Sequence, residues 1–186
     1  MTKYPEPDKV RENALRAAVD DLAAAVHRGD GTEEELAAAI EAVRQIPIDF
    51  ERMVNALHVP EDAGEHEPAL RALLERIPDG WGRWIQCGAG WYPILVRLGE
   101  RLRNIDPGFE VHQIKEKFGT LWFYWAGRNC DAGEAAVAVA EAESARTCER
   151  CGGPGRLRTR NGWLRTLCDS CGRSDGYVDV PDDEEN

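Results

Sequence analysis

Three observations predict an α+β fold with helices first, a Trp-rich core next and a cysteine-paired segment last. Apolar side chains recur at helical spacing early in the chain, short apolar runs flank turns in the middle, and two C-x-x-C pairs come late. The 186 residues are enough for one large domain or two small ones. We divide them into an acidic helical unit (1–79), a Trp-rich core (80–147), a segment with paired cysteines (148–174) and an acidic disordered tail (175–186).

The acidic first part predicts several helices. Apolar residues lie at helical spacing from Leu15 to Val26. Thr32 and Glu35 have the spacing of a capping box and predict the start of a second helix. Pro68 suits the first turn of a later helix. This part of the chain is therefore expected to be all helical.

The middle of the chain predicts a helix packed on a short antiparallel sheet. Five of the six Trp residues fall here, so we expect the main core in this region. Pro93 suits a helix start, and strands are expected at 109–114 and 121–125, around a reversal. Residues 121–125 are apolar at every position, which predicts that both faces of that strand are covered. An Ala-rich helix should follow at 132–146.

Four late cysteines predict a metal site. Cys148 with Cys151, and Cys168 with Cys171, form two C-x-x-C pairs with sixteen residues between them. This spacing is typical of a structural zinc site, and two disulfides are the alternative. We find no signal peptide and no run long enough to span a membrane, which predicts a cytoplasmic protein with reduced thiols and no membrane partner. The pattern therefore favours one structural Zn²⁺.

A hairpin is expected between the two cysteine pairs, because Asn161-Gly162 is a strong signal for a two-residue turn. That turn sets Arg158 opposite Arg165 on one face of the hairpin. The face then carries a basic, aromatic stripe made of Arg156, Arg158, Arg160, Trp163 and Arg165. The first cysteine pair, the hairpin and the second cysteine pair together resemble a treble clef or a zinc ribbon.

The charge pattern bears on what this Arg stripe could bind. The net charge is −11, which argues against general nucleic-acid affinity. Residues 148–174 carry six Lys and Arg against two Asp and Glu, so this segment taken alone could bind nucleic-acid phosphate. Alternatively, the anionic Cys₄ site, the acidic tail at Asp182–Glu185 or the acidic helices neutralise the stripe.

A second candidate site is the CGAGW loop before the predicted core helix. Gly88 and Gly90 could offer free backbone N–H groups to an anion, with Lys115 and Lys117 adding charge. The alternative is that these glycines let the neighbouring Trp rings pack against backbone.

An enzyme is the third possibility, with Cys87 as nucleophile and His112 as base. No sequence motif fixes that pair, so we assign no catalytic residue. The alternative for Cys87, and for Cys130, is a buried free thiol.

The stretches GWGRWIQCGAGWYPIL, IDPGFEVHQIKEKFGTLWFYW and SARTCERCGGPGRLRTRNGWLRTLCDSC cover about half of the chain. In combination they resemble uncharacterised small zinc-knuckle proteins of bacteriophages and actinobacteria. The resemblance implies a phage or prophage setting and a zinc knuckle, but no activity. We therefore expect a non-enzymatic, zinc-stabilised protein that binds a host protein or nucleic acid. The alternative is a nucleotide-like ligand binder or a Cys–His hydrolase that uses the CGAGW loop.

Overall fold

The computed structural model describes residues 3–28 and 32–181. It contains two compact units, Met1–Ala56 and Leu57–Asn186. Of the acidic tail, residues 182–186 lie outside the described part, so the predicted masking by Asp182–Glu185 stays a prediction.

The first unit consists of helices α1 (Lys9–Arg28), α2 (Glu33–Arg44) and α3 (Phe50–Asn55). The predicted capping box begins α2. The hydroxyl of Thr32 accepts the Glu35 N–H at 3.2 Å, and the Glu35 carboxylate accepts the Thr32 N–H at 2.9 Å. No residue of α2 or α3 is fully buried. Within the described residues, α2 and α3 therefore contribute no fully buried side chain to a core.

The second unit begins with three helices and a three-stranded sheet. The helices are α4 (Glu67–Leu74), α5 (Tyr92–Ile105) and α6 (Cys130–Ser144), and the strands are β1 (Ile85–Gln86), β2 (Glu110–Lys117) and β3 (Thr120–Ala126). The sheet order is β1-β2-β3, with β2 and β3 antiparallel as predicted. The short β1 was not predicted, and it pairs with β2 in parallel.

The main core lies between the helices and one face of this sheet. Trp91, Leu95 and Ile114 are among its fully buried residues. Helix α4 contributes Leu70 and Leu74 to the same core. Residues 57–79 resemble the preceding segment in charge, yet they pack in the second unit, because it is the apolar face of α4 that determines where this helix binds.

The expectation that both faces of β3 are covered is wrong. Leu121 and Phe123 are buried, but Tyr124 is 39% exposed. Helix α6 packs on β3, and its buried residues belong to the same core as Leu121 and Phe123. The prediction was wrong because it counted Tyr and Trp as apolar residues that must be buried. Their rings carry a polar group and tolerate partial exposure.

The cysteine-paired segment forms strand β4 (Arg156–Arg160), strand β5 (Trp163–Leu167), helix α7 (Asp169–Ser174) and strand β6 (Val178–Asp179). The β4–β5 register is the predicted one, including Arg158 opposite Arg165. The second cysteine pair opens α7, so the arrangement follows the treble clef and not the ribbon. Strand β6 pairs with β4, so the first part of the tail is ordered.

Candidate metal centre

The fold brings the four paired cysteines together. The Sγ atoms of Cys148, Cys151, Cys168 and Cys171 all lie within 4.8 Å of one another. The Sγ atoms of Cys151 and Cys168 are 3.7 Å apart. Four sulfurs at a Zn–S distance of about 2.3 Å around one tetrahedral ion stand about 3.8 Å apart. The donor set therefore fits a tetrahedral thiolate site.

Each cysteine pair sits on a tight turn that points two sulfurs inward. In the first turn the Gly152 N–H donates to the Cys148 carbonyl at 2.8 Å, and the Cys148 N–H donates to the Gly153 carbonyl at 2.7 Å. Gly152 has φ +76°, which a residue with Cβ adopts only with strain. In the second turn Cys168 caps α7, and its Sγ accepts the Cys171 N–H at 3.4 Å.

Local interactions give the two thiols of the second pair different pKa values. The hydroxyl of Ser170 and the Cys171 N–H lower the pKa of Cys168 to about 6. The neighbouring sulfur of Cys168 and partial burial raise the pKa of Cys171 to about 12. One sulfur of this pair is thus readily a thiolate, whereas holding four thiolates together requires a cation.

The first cysteine turn is docked on the CGAGW loop. The Gly90 N–H donates to the Glu149 carbonyl at 2.8 Å, and the Gly88 N–H donates to the Glu149 carboxylate at 3.0 Å. The Trp91 indole N–H donates to the Thr147 carbonyl at 2.7 Å. A Cβ on Gly90 would lie 2.1 Å from the Cys148 carbonyl oxygen. The glycines therefore allow close approach of the cysteine-turn backbone, whereas the alternative proposed from the sequence was packing of Trp rings against them.

This geometry does not support anion binding at Gly88 and Gly90, because their N–H groups are used within the protein. Lys115 and Lys117 also lie elsewhere. The Lys115 ammonium is 5.4 Å from the centre of the Tyr124 ring, and the Lys117 ammonium is 4.7 Å from that of Trp122. Both lysines belong to the outer face of the sheet.

Carboxylates pair with three arginines of the predicted Arg stripe. Arg158 is only 4% exposed and bonds Asp169 at 2.5 Å and Asp179 at 2.9 Å. Arg156 contacts the same two carboxylates at 2.7 and 2.9 Å. Arg165 bonds the buried carboxylate of Glu149 at 2.8 Å. The charges of Arg158 and Arg165 are thus balanced partly by Asp179, in the first part of the predicted acidic tail, and partly by Asp169 and Glu149, which the sequence analysis did not propose.

The last two members of the Arg stripe differ from each other. The Arg160 guanidinium lies 4.9 Å from the centre of the Tyr177 ring and donates to the Asp175 carbonyl at 2.7 Å. Tyr177 is 6% exposed, which anchors the chain after α7. Trp163, in contrast, is 75% exposed beside the turn. An open basic stripe is therefore not what the hairpin presents.

The proposed Cys–His pair is not assembled. Burial, together with the charges of Glu149, Asp62 and Glu116, raises the pKa of the Cys87 thiol far above its usual range, so the thiol stays protonated. His112 instead stacks on Trp81, with ring centres 4.6 Å apart.

The other unpaired cysteine, Cys130, is exposed. The expectation that it is a buried thiol is therefore wrong. Cys130 is the first residue of α6 and lies one turn before Gly133, where the buried side of the helix begins, and its Sγ donates to the Gly127 carbonyl at 3.2 Å.

Sequence reasoning missed Glu149, which is 1% exposed and links the CGAGW loop to Arg165. A charged residue between two metal-spaced cysteines, in CERC, was the available signal. Asp169 and Asp179 were missed too, because their pairing with Arg158 requires α7 and β6 to be placed.

No helix within residues 3–28 and 32–181 is long and apolar enough to cross a membrane. Comparison with known proteins identifies no matching family model, no matching curated protein and no matching solved structure. The likeness to phage proteins therefore rests on the sequence motifs alone.

Proposed function

We propose that this chain is a non-enzymatic binding protein whose C-terminal module is held together by one structural Zn²⁺. The observation that carries the proposal is the cluster of four Sγ atoms within 4.8 Å, built on two turns of which the first docks on the CGAGW loop. Zinc is the metal that such a thiolate set selects in structural sites. The site would be held by Cys148, Cys151, Cys168 and Cys171.

The zinc would act on folding and not on a substrate. Four thiolates fill a tetrahedral ion, which leaves no position for water or ligand. The module it holds is small, with Cys148, Leu167 and Tyr177 as its buried apolar residues in the described chain. So few buried side chains supply little stability, and metal-binding energy would supply the rest as folding energy.

Binding is favoured over turnover by the state of the candidate catalytic groups. Cys87 stays protonated and His112 is stacked on Trp81, so no activated nucleophile stands in the CGAGW loop. A cleft of about 460 Å³ does open beside Cys87. Glu116, Glu149 and Arg165 line it, and because Arg165 is already paired with Glu149 at 2.8 Å, the lining is a poor neighbour for a nucleotide phosphate.

A host macromolecule remains the partner class that we propose, either a protein or a nucleic acid. The phage-like motifs support a phage or prophage setting. Reduced thiols at the metal centre fit a cytoplasmic location, where cysteines are kept reduced.

The test is metal analysis of the purified, reduced full-length chain. We expect one zinc per chain, and we expect Cys151→Ser to lose the metal and unfold the segment that follows residue 147. Cys130→Ser removes an exposed thiol outside the cluster and is the matched control, with metal content and stability unchanged. A reduced, folded wild-type protein that contains no zinc would contradict the proposal.

A further inference from the structure

The outer face of the three-stranded sheet carries an ordered set of aromatic and basic side chains. In the register of β2 and β3, Lys115 pairs with Trp122, Gln113 with Tyr124 and Lys117 with Thr120. These positions alternate with the buried Ile114, Leu121 and Phe123, so they share the face opposite the core. Gln86 of β1 joins them, because it pairs with Lys115.

The rings and ammonium groups on this face lie close together. The centres of the Trp122 and Tyr124 rings are 6.0 Å apart, with 32° between their planes. The Lys117 ammonium lies 4.7 Å from the Trp122 ring centre and the Lys115 ammonium 5.4 Å from the Tyr124 ring centre. Each ring therefore has a cation beside it, at cation–π distance.

The turn at the end of β2 extends the same face with an exposed ring. Phe118 is 66% exposed and has φ +55°, a conformation that bulky residues rarely adopt. Asn or Gly would occupy this turn position with less strain. Strain held at an exposed aromatic residue points to a role in recognition.

The charge of this face differs from that of the chain as a whole. The outer-face residues Gln86, Gln113, Lys115, Lys117, Thr120, Trp122 and Tyr124 carry two positive charges, and Glu110, which pairs with Ala126 at the end of the same face, adds one negative charge. Glu110 lies beyond the bulge, where its carboxylate is 3.8 Å from the His112 ring. A polyanion is attracted to this face, whereas the net charge of −11 repels it from most other surfaces.

We propose that this face binds single-stranded nucleic acid. Bases would stack on Trp122 and Tyr124, and backbone phosphates would contact Lys115 and Lys117, the combination that single-strand-binding surfaces use. A duplex hides the base faces and offers nothing to the two rings. The inference rests on the binding function proposed above and specifies its partner class and its surface.

Fluorescence anisotropy of the zinc-loaded full-length protein tests the proposal, with a labelled single strand of about 12 nucleotides, within the usual span of such sites. We expect Trp122→Ala to weaken binding by about tenfold or more, the loss typical of one stacked base. Trp163→Ala removes an equally large, exposed ring from the hairpin and should leave the Kd unchanged.

Charge is tested separately from stacking. Lys115→Glu should weaken binding and reduce the slope of log affinity against log salt by about 0.7 or more. Lys9→Glu makes the same change of charge in α1 and should alter neither. Tyr124→Leu also removes a stacking ring but leaves an apolar residue that a strand tolerates, and it should weaken binding as well. It therefore provides a second test of stacking if Trp122→Ala fails to fold.

Three results of these binding assays would overturn the inference, and a fourth comes from other partners. One is a folded, zinc-containing wild-type protein that binds neither single-stranded DNA nor RNA at low salt. Another is tighter binding to a duplex than to a single strand. The third is loss of binding with Trp163→Ala but not with Trp122→Ala or Tyr124→Leu. If the outer face instead proves necessary for binding a host protein or anionic lipid vesicles, this inference fails. Only the protein outcome leaves the proposed binding function standing, and a zinc-free folded protein would refute the zinc proposal independently.

Discussion

Glu149→Ala should be among the most damaging single changes outside the cysteines. The Glu149 carboxylate accepts the Gly88 N–H at 3.0 Å and the Arg165 Nε–H at 2.8 Å, and the residue is 1% exposed. A hydrogen bond to a charged group is worth about 1.5–3 kcal/mol. The Arg165 side chain is 37% exposed, so water replaces part of its lost bond. We therefore expect the free energy of unfolding to fall by about 3–4 kcal/mol.

Urea unfolding of the zinc-saturated protein, followed by circular dichroism, measures this loss. Glu149→Gln retains an oxygen for the Gly88 N–H but points an amide or a neutral oxygen at Arg165, so about half of the loss should remain. Glu134→Ala removes an exposed carboxylate from α6 and should change the free energy of unfolding by less than about 0.5 kcal/mol.

A loss below about 1 kcal/mol for Glu149→Ala would refute the argument. It would mean that water or a side-chain rearrangement satisfies the Gly88 N–H and Arg165 as well as the carboxylate does. The docking of the cysteine turn on the CGAGW loop would then rest on backbone contacts alone.

Two further predictions concern the same region. Gly90→Ala places a Cβ 2.1 Å from the Cys148 carbonyl oxygen and should lower the free energy of unfolding in urea by about 3 kcal/mol or more. Gly153→Ala is the control and should be tolerated, because its Cβ would lie 3.7 Å from the Cys151 Sγ. Equal losses of unfolding free energy in the two variants would contradict this prediction. Burial, and then the charge of Glu149, raises the pKa of Glu116 above its usual 4.5, so the folded state holds that proton more tightly and ionisation above this pH costs stability. Glu116→Gln should therefore raise the urea midpoint at pH 7 by more than at about pH 5, where the zinc site is still loaded, and an equal effect at both pH values would contradict the assignment.

Local sequence rules predicted the parts of this fold that local geometry determines. The Asn161-Gly162 turn set the β4–β5 register correctly, because a two-residue turn leaves one way to pair the flanking strands. Thr32 and Glu35 marked a helix start for the same kind of reason. The spacing of the cysteines predicted that their sulfurs meet.

The remaining features depend on contacts between residues far apart in the chain. The sequence could not decide whether the Arg stripe is open or neutralised, because its partners Asp169 and Asp179 are brought to Arg158 only by α7 and β6. The sequence analysis did not single out Glu149, because its contact with the CGAGW loop joins residues about sixty positions apart. Apolar composition alone could not tell that one side of β3 remains open at Tyr124.

The hairpin of the metal centre contacts the β2–β3 turn, at one end of the sheet that carries the outer face. The Thr166 hydroxyl donates to the Gly119 carbonyl at 2.7 Å. Thr166 lies in β5, two residues before the metal-site residue Cys168. A Cβ on Gly119 would lie 2.3 Å from the Leu157 side chain, so the hairpin packs tightly against this turn. The turn also carries Phe118 at its strained φ. A zinc ion that holds β4 and β5 in place would thus also hold the end of the sheet that presents the aromatic and basic residues. In the proposed binding protein, the structural metal would therefore support the binding face without taking part in any reaction.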